Sequence, residues 1–200
     1  MKRKSKASER FHLPAELSAF KRKMAVILPK DAGAILTYAN VGKDSVVVEV
    51  GAGNGFLTYY LARIAKRVYA YEIREDAFAI LEKNIKKAGL NNVEIKLADG
   101  LMFEEENVDA VVADIPNAHE LVERAYMRLK KGGYFVAYLP NVEQIKQAYE
   151  KAKLNFGNAF VISLPLLEYR VSERATRPEN MQLFHTAFLL FAKKEDKHEA

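Results

Sequence analysis

Apolar and polar positions along this chain fall into two alternating rhythms. Val46-Val47-Val48-Glu49-Val50 is a run of valines around a single carboxylate, apolar enough to predict a strand buried on both faces. It runs into Gly51-Ala52-Gly53-Asn54-Gly55, and helical spacing begins near Phe56. From there strand and helix take turns: helix 56–66, strand 67–71, helix 74–88 stopped by Gly89, strand 93–97, strand 108–113, helix 118–130, strand 134–139 and a helix from about Val142 to Ala152. Two longer strands near 159–169 and 185–192 are expected to form an antiparallel hairpin at the sheet's edge. Alternation of this kind predicts a Rossmann-like α/β fold on a mostly parallel sheet with right-handed crossovers.

Ahead of the first strand, Leu13, Leu17, Phe20 and Met24 recur at helical spacing behind Pro14, which predicts a short amphipathic helix with a basic outer face. Pro29 interrupts it. Asp31 is then expected to cap a helix running to about Tyr38. The organisation read from these patterns is a basic arm and short helix over residues 1–30, one α/β domain over 31–194 and a tail over 195–200.

A strand, a Gly-x-Gly-x-Gly turn and a helix describe a cofactor crevice, because glycine is needed where the backbone takes positive φ or approaches a ligand closely. The dinucleotide fingerprint would put its third glycine at position 56, where this chain has Phe56. A pyrophosphate also wants positive potential, whereas Glu49 puts a carboxylate at the strand's end. Negative charge there suits a cation. S-adenosylmethionine (SAM), with an ammonium, a sulfonium and no phosphate, matches better than a nicotinamide dinucleotide. The candidate cofactor residues are therefore Glu49, Gly51, Gly53 and Gly55, joined by those at the carboxyl ends of the next strands. Glu72, with Ile73 beside it, lies about twenty residues past the turn, where a carboxylate accepts hydrogen bonds from both ribose hydroxyls. Asp99-Gly100 follows the third strand, and Asp99 is placed to accept from an adenine amino group. The fourth strand ends in Asp114-Ile115-Pro116-Asn117. Pro116 stiffens the exit, so Asp114 is expected at the rim of the cofactor site, with Pro116 and Asn117 completing the catalytic group.

Charge adds a partner. The net charge is +5, but residues 1–30 hold nine Lys or Arg against two Glu, leaving −2 for residues 31–200. A basic arm on a near-neutral body fits an enzyme that works on a polyanion, since Lys and Arg displace counterions from phosphates. Lys2, Arg3, Lys4, Lys21, Arg22 and Lys23 are the candidate RNA contacts in the arm, with Arg174 and Arg177 in the loop between the last two strands. The chain has no cysteine and four scattered histidines, which excludes disulfides and thiolate metal sites and points to a reducing, cytoplasmic setting with no metal. No apolar run is long enough to span a membrane, and the charged N-terminus lacks a signal peptide's apolar core.

The ordered set Glu49-x-Gly-x-Gly-x-Gly55, Glu72, Asp99, Asp114-Ile-Pro-Asn117 and Leu129-Lys-Lys-Gly-Gly133 resembles the class I SAM-dependent methyltransferases. From about Pro29 to Ala192 the chain is similar, more narrowly, to the tRNA (adenine-N1) methyltransferases. The residues that carry this are Pro29-Lys30-Asp31, Val68-Tyr-Ala-Tyr-Glu-Ile-Arg-Glu75, Arg177-Pro178, Met181 and His185-Thr186. The resemblance implies the seven-stranded class I methyltransferase sheet and SAM as cofactor, without the family's N-terminal β-rich domain. This chain departs from the family at Leu28, where an aromatic is usual, at Asn117-Ala118-His119, and at Phe184 and Ala187 around His-Thr.

Methyl transfer from a sulfonium is an in-line displacement that needs little beyond alignment and desolvation. A carboxylate at Asp114 serves a ring nitrogen that becomes cationic and equally an exocyclic amine that must shed its N–H. The expected function is N-methylation of a nucleobase in tRNA or rRNA, at adenine ring nitrogen 1 or at the exocyclic amine of cytidine or adenosine. The alternatives are a corrinoid-pathway-like small-molecule methyltransferase and a non-catalytic RNA-binding subunit of methyltransferase descent.

Overall fold

The structure, a computed structural model, describes residues 12–195. Lys2, Arg3 and Lys4 of the arm lie outside them. Helix α1 is Ala15–Ser18, α2 Pro29–Tyr38, β1 Val46–Val50, α3 Phe56–Ile64, β2 Arg67–Glu72, α4 Glu75–Ala88 and β3 Val93–Leu97. After a 3₁₀ turn at Gly100–Met102 come β4 Val108–Ala113, α5 Ala118–Arg128, β5 Leu129–Leu139, α6 Val142–Asn155, β6 Asn158–Ser163, β7 Tyr169–Val171, β8 Thr176–Pro178 and β9 Phe188–Lys193. Among the described residues no helix is long and apolar enough to cross a membrane.

Seven strands form one sheet in the order β3-β2-β1-β4-β5-β9-β6. The first five run parallel and β9 runs antiparallel between β5 and β6. Successive side chains of β1 point to opposite faces, as the pleat requires. Val48 and Val50 pack with Leu121, Val122 and Ala125 of α5 and Ala148 of α6. Val47 packs on the other side with Ile35 of α2, Leu61 of α3 and Leu81 and Ile85 of α4. Because β2 lies on one side of β1 and β4 on the other, the chain changes direction at the carboxyl end of β1, and sheets of this kind open a crevice there.

Three sequence expectations are corrected. The helix expected over Leu13–Met24 is one turn, Ala15–Ser18. Beyond it the chain turns to bury Phe20 against Phe56 and Tyr59, with ring centroids 5.6 and 5.7 Å apart. Asp31 does not cap α2: the cap is Leu28, with Pro29 in the first turn, and Asp31 lies fully buried inside that turn. The long strand 159–169 ends at Ser163, just short of Leu164-Pro165, and β7 pairs with β8 in a separate two-stranded sheet; proline cannot donate to a ladder. The terminal pair is antiparallel and at the edge as expected, but its more apolar member, Phe188-Leu-Leu-Phe-Ala-Lys193, takes the inner position.

Candidate active site

The glycine turn after β1 is pinned on both sides by its neighbours. Gly51 and Ala52 both donate backbone N–H to the Tyr71 carbonyl at 2.9 Å, and the Asp114 N–H donates to the Val50 carbonyl at 2.9 Å. Gly51, Gly53 and Gly55 have φ of +86°, +56° and +82°, the left-handed region that side chains resist. The carboxyl ends of β1, β2 and β4 are thereby set side by side around a cavity of about 590 Å³, a volume ordinary for a small-molecule site. Glu49, Gly51, Gly53, Glu72, Ile73, Asp99, Gly100, Asp114, Pro116 and Asn117 all line it.

Gly55 does not. It begins α3, and a Cβ there would meet Leu81 Cδ1 at 2.8 Å, so its smallness lets α4 approach the turn. Gly100 has a packing reason as well as its place in the wall: a Cβ on it would lie 2.5 Å from Val50 Cγ1.

The charge of the cavity wall is mostly acidic, with Glu49, Glu72, Asp99 and Asp114 against Arg74. Glu72 is buried; its Oε2 accepts from the Gly53 N–H at 2.9 Å and its Oε1 from the Arg74 N–H at 2.9 Å. Asp99 Oδ1 accepts from the Leu101 N–H at 2.9 Å, which caps the 3₁₀ turn. Glu49 is buried and accepts from Thr58 Oγ1 at 2.6 Å. Burial pushes its carboxyl up to about 8, Thr58 opposing and Asp114 and Glu72 adding to the rise. Asp114 presents exposed surface to the cavity; the protein packed around its carboxyl nevertheless removes water from it, and that desolvation, followed by the charge of Glu72, pushes the carboxyl up to about 7. Among the described residues its carboxylate has no hydrogen-bonded side-chain partner. Two of these groups are thus poised to ionise when a cation arrives, and a phosphate would meet repulsion. The fit is to a positively charged ligand with hydroxyls and an amine to donate, which is the chemistry of SAM.

Sequence reasoning missed one wall of the cavity. Met24, Ala25, Val26 and Ile27 line it, on a segment laced to the body by two asparagines. Asn84 Oδ1 accepts from the Lys21 N–H at 2.9 Å, and its Nδ2 donates to the Lys21 and Asn54 carbonyls at 2.8 Å. Asn54 Oδ1 accepts from the Lys23 N–H at 3.1 Å. The signal was present, since Asn84 interrupts the apolar stripe Ala77, Leu81, Ile85 of α4, and a polar group there needs partners. Of the candidate RNA contacts, Lys21 and Arg22 are exposed, Lys23 is paired with Asp76, and Arg174 and Arg177 are exposed on the β7–β8 hairpin.

Comparison with known proteins agrees with this geometry. Residues 17–186 match the family described as the tRNA methyltransferase complex GCD14 subunit. The tRNA (adenine(57)-N(1)/adenine(58)-N(1))-methyltransferase TrmI of Methanocaldococcus jannaschii is 31% identical over 209 residues, covering 88% of this chain and 74% of the relative. TrmI of Thermus thermophilus, a tRNA (adenine(58)-N(1))-methyltransferase, is 31% identical over 199 residues, covering 90% and 78%. The crystal structure of the tRNA (m1A58) methyltransferase TrmI of Aquifex aeolicus superposes with a TM-score of 0.84 at 30% identity, covering 90% of this chain and 74% of that one. With a class I sheet, an acidic cofactor cavity at its switch point and this match over most of its length, the chain belongs to the GCD14 family of SAM-dependent tRNA methyltransferases.

Proposed function

We propose that this protein methylates ring nitrogen 1 of an adenine in tRNA, in the cytoplasm, with Asp114 as the group that faces the acceptor base. The observation that carries the reading is the Asp114 carboxylate, which lines the same cavity as the glycine turn and Glu72 and has no side-chain hydrogen bond of its own among the described residues. SAM supplies the methyl group on a sulfonium and leaves as a neutral thioether. The nitrogen's lone pair forms the new N–CH₃ bond while the S–CH₃ electrons return to sulfur, so the positive charge moves from cofactor to base. A carboxylate already fixed at the end of its strand beside the acceptor stabilises that charge without reorganising. Pro116 limits the freedom of the Asp114 exit, and Asn117, which begins α5 and hydrogen-bonds Glu120 at 3.2 Å, shapes the neighbouring wall.

For the cofactor, we assign the ribose hydroxyls to Glu72, the adenine edge to Asp99 with Ile73 and Gly100 packing on the ring, and the cationic end to Glu49. For the RNA, we assign phosphate contacts to Lys21, Arg22, Arg174 and Arg177 together with the residues before position 12. The test is nucleoside analysis of an unmodified tRNA transcript treated with the protein and SAM. One new 1-methyladenosine, first sought at position 58 where the three relatives named above act, is expected. Methylation of an exocyclic amine instead would overturn the assignment to the ring nitrogen.

A further inference from the structure

Lys30, Asp31 and Thr186 come from opposite ends of the chain and meet in one polar knot. Lys30 Nζ donates to Asp31 Oδ1 at 2.7 Å and to Thr186 Oγ1 at 2.7 Å, and Thr186 Oγ1 donates to Asp31 Oδ2 at 2.9 Å. The Asp31 side chain has no exposed surface and that of Lys30 is 14% exposed. Burying an ion pair is costly, and apolar residues of similar volume are often at least as stabilising. What the knot supplies is therefore a fixed position: it ties the first turn of α2 to the segment that enters β9. A second tether holds the same segment, because His185 Nε2 donates to the Pro140 carbonyl at 3.0 Å.

Tyr138 of β5 lies opposite Leu189 of β9 in the ladder and one position past Ala137, the partner of Ala113 in β4, so it stands at the same carboxyl edge of the sheet as Asp114. Asp31, Thr186 and Asp114 all act on its phenol, whose pKa burial and then Asp31 push up. The ladder thus seats Tyr138 beside the end of the strand that carries Asp114 and beside the segment that the knot holds. We propose that Thr186 is a positioning residue: its hydroxyl, anchored by Asp31 and Lys30, fixes residues 184–187 and the Tyr138 phenol beside Asp114, and so sets where the acceptor base comes to rest. This rests on the reading of Asp114 as the group that faces the acceptor.

The test compares wild type, Thr186→Val and Thr186→Ser for SAM affinity, for single-turnover methylation of tRNA, and for amide hydrogen exchange over residues 184–188. Valine keeps the shape and removes the hydroxyl; serine restores it. For Thr186→Val the expectation is unchanged SAM affinity, faster exchange over 184–188, and a transfer rate lower by up to about a hundredfold, the size that a misplacement of about 1 Å can cost. Thr186→Ser should recover most of the rate. The proposal is overturned if Thr186→Val transfers methyl at the wild-type rate, if serine fails to rescue it, or if exchange is unchanged. A wild-type protein that leaves tRNA unmethylated would instead sink the substrate reading, and the exchange arm then decides by itself whether the hydroxyl holds the segment.

Discussion

A Cβ placed on Gly51 would lie 2.3 Å from the backbone oxygen of Asp114 and 2.8 Å from Ile115 Cγ2. The cofactor turn and the exit of the strand carrying Asp114 are therefore fitted to each other with no room for even a methyl group. Gly51→Ala should cost the strain of a left-handed residue, about 1–2 kcal/mol, plus the displacement of one of the two segments. Gly89 supplies the control, since it has φ +65° and nothing within 4 Å of a Cβ. Calorimetry and thermal melts should show Gly89→Ala losing stability alone. Gly51→Ala should lose at least about tenfold in SAM affinity as well, taking about 1.4 kcal/mol as a tenfold change.

Replacing Asp114 by Ala should separate binding from transfer. Loss of one preorganised electrostatic partner typically costs about a hundred- to a thousandfold in rate, while SAM affinity changes little. Asp114→Asn should be equally poor, because a neutral amide cannot offset a ring cation. Substantial activity in the Asn variant would indicate an exocyclic amine as acceptor. With the carboxyl near 7 in the free protein, kcat/KM of the wild type should rise with pH through neutrality and level off once the carboxylate is ionised.

Glu49 and Asp114 also make a prediction about stability. Both carboxyls have folded-state pKa values raised above those of the unfolded chain, so the folded state holds protons that the unfolded state has released. Their contribution is fully present below about pH 4 and is lost as pH rises through about 7 and then about 8. The cofactor-free protein should melt progressively lower from about pH 5 to about pH 8.5, by about 2–4 °C for each kcal/mol lost in a chain of this size. Glu49→Gln should flatten the trend, and saturating SAM should reverse part of it by favouring the charged form of Glu49. A melting temperature that climbs over this range in the absence of cofactor would contradict the assignment.

Asn84 lies under the segment that closes the cavity, and Asn84→Ala leaves the Lys21 N–H and the Lys21 and Asn54 carbonyls without their partner. Each buried polar group left unsatisfied costs about 1–3 kcal/mol. Stopped-flow measurement should show faster SAM release in this variant than in wild type. Deleting residues 1–10, which removes five Lys or Arg, should leave that release rate alone and make the salt dependence of RNA binding shallower.

The part of the cavity around the glycine turn was legible because it is local. A strand, its turn and the next carboxylate are fixed by period, glycine spacing and distance along the chain, and Glu72 needs only to end the neighbouring strand to reach Gly53. The fold class followed from the same alternation. What could not be read was whatever joins distant segments. Asp31 and Thr186 are 155 positions apart, and nothing in the pattern around either announces the other. The failed helix over Leu13–Met24 has the same origin: its spacing was right, but the backbone beyond Ser18 bonds to Asn84 and Asn54 instead of to itself. Tertiary partners overrode local propensity there.

The place of β9 has a consequence for how the molecule is made. β6 leaves the ribosome before its neighbour in the sheet, because among the described residues its partner is β9, which also stands between it and β5. Until residue 193 has emerged, β6 and the free side of β5 remain open edges, the kind of surface on which nascent chains aggregate. A truncation just before Phe188 therefore strips the sheet of two strands, and the sheet closes only once Phe188–Lys193 has been synthesised.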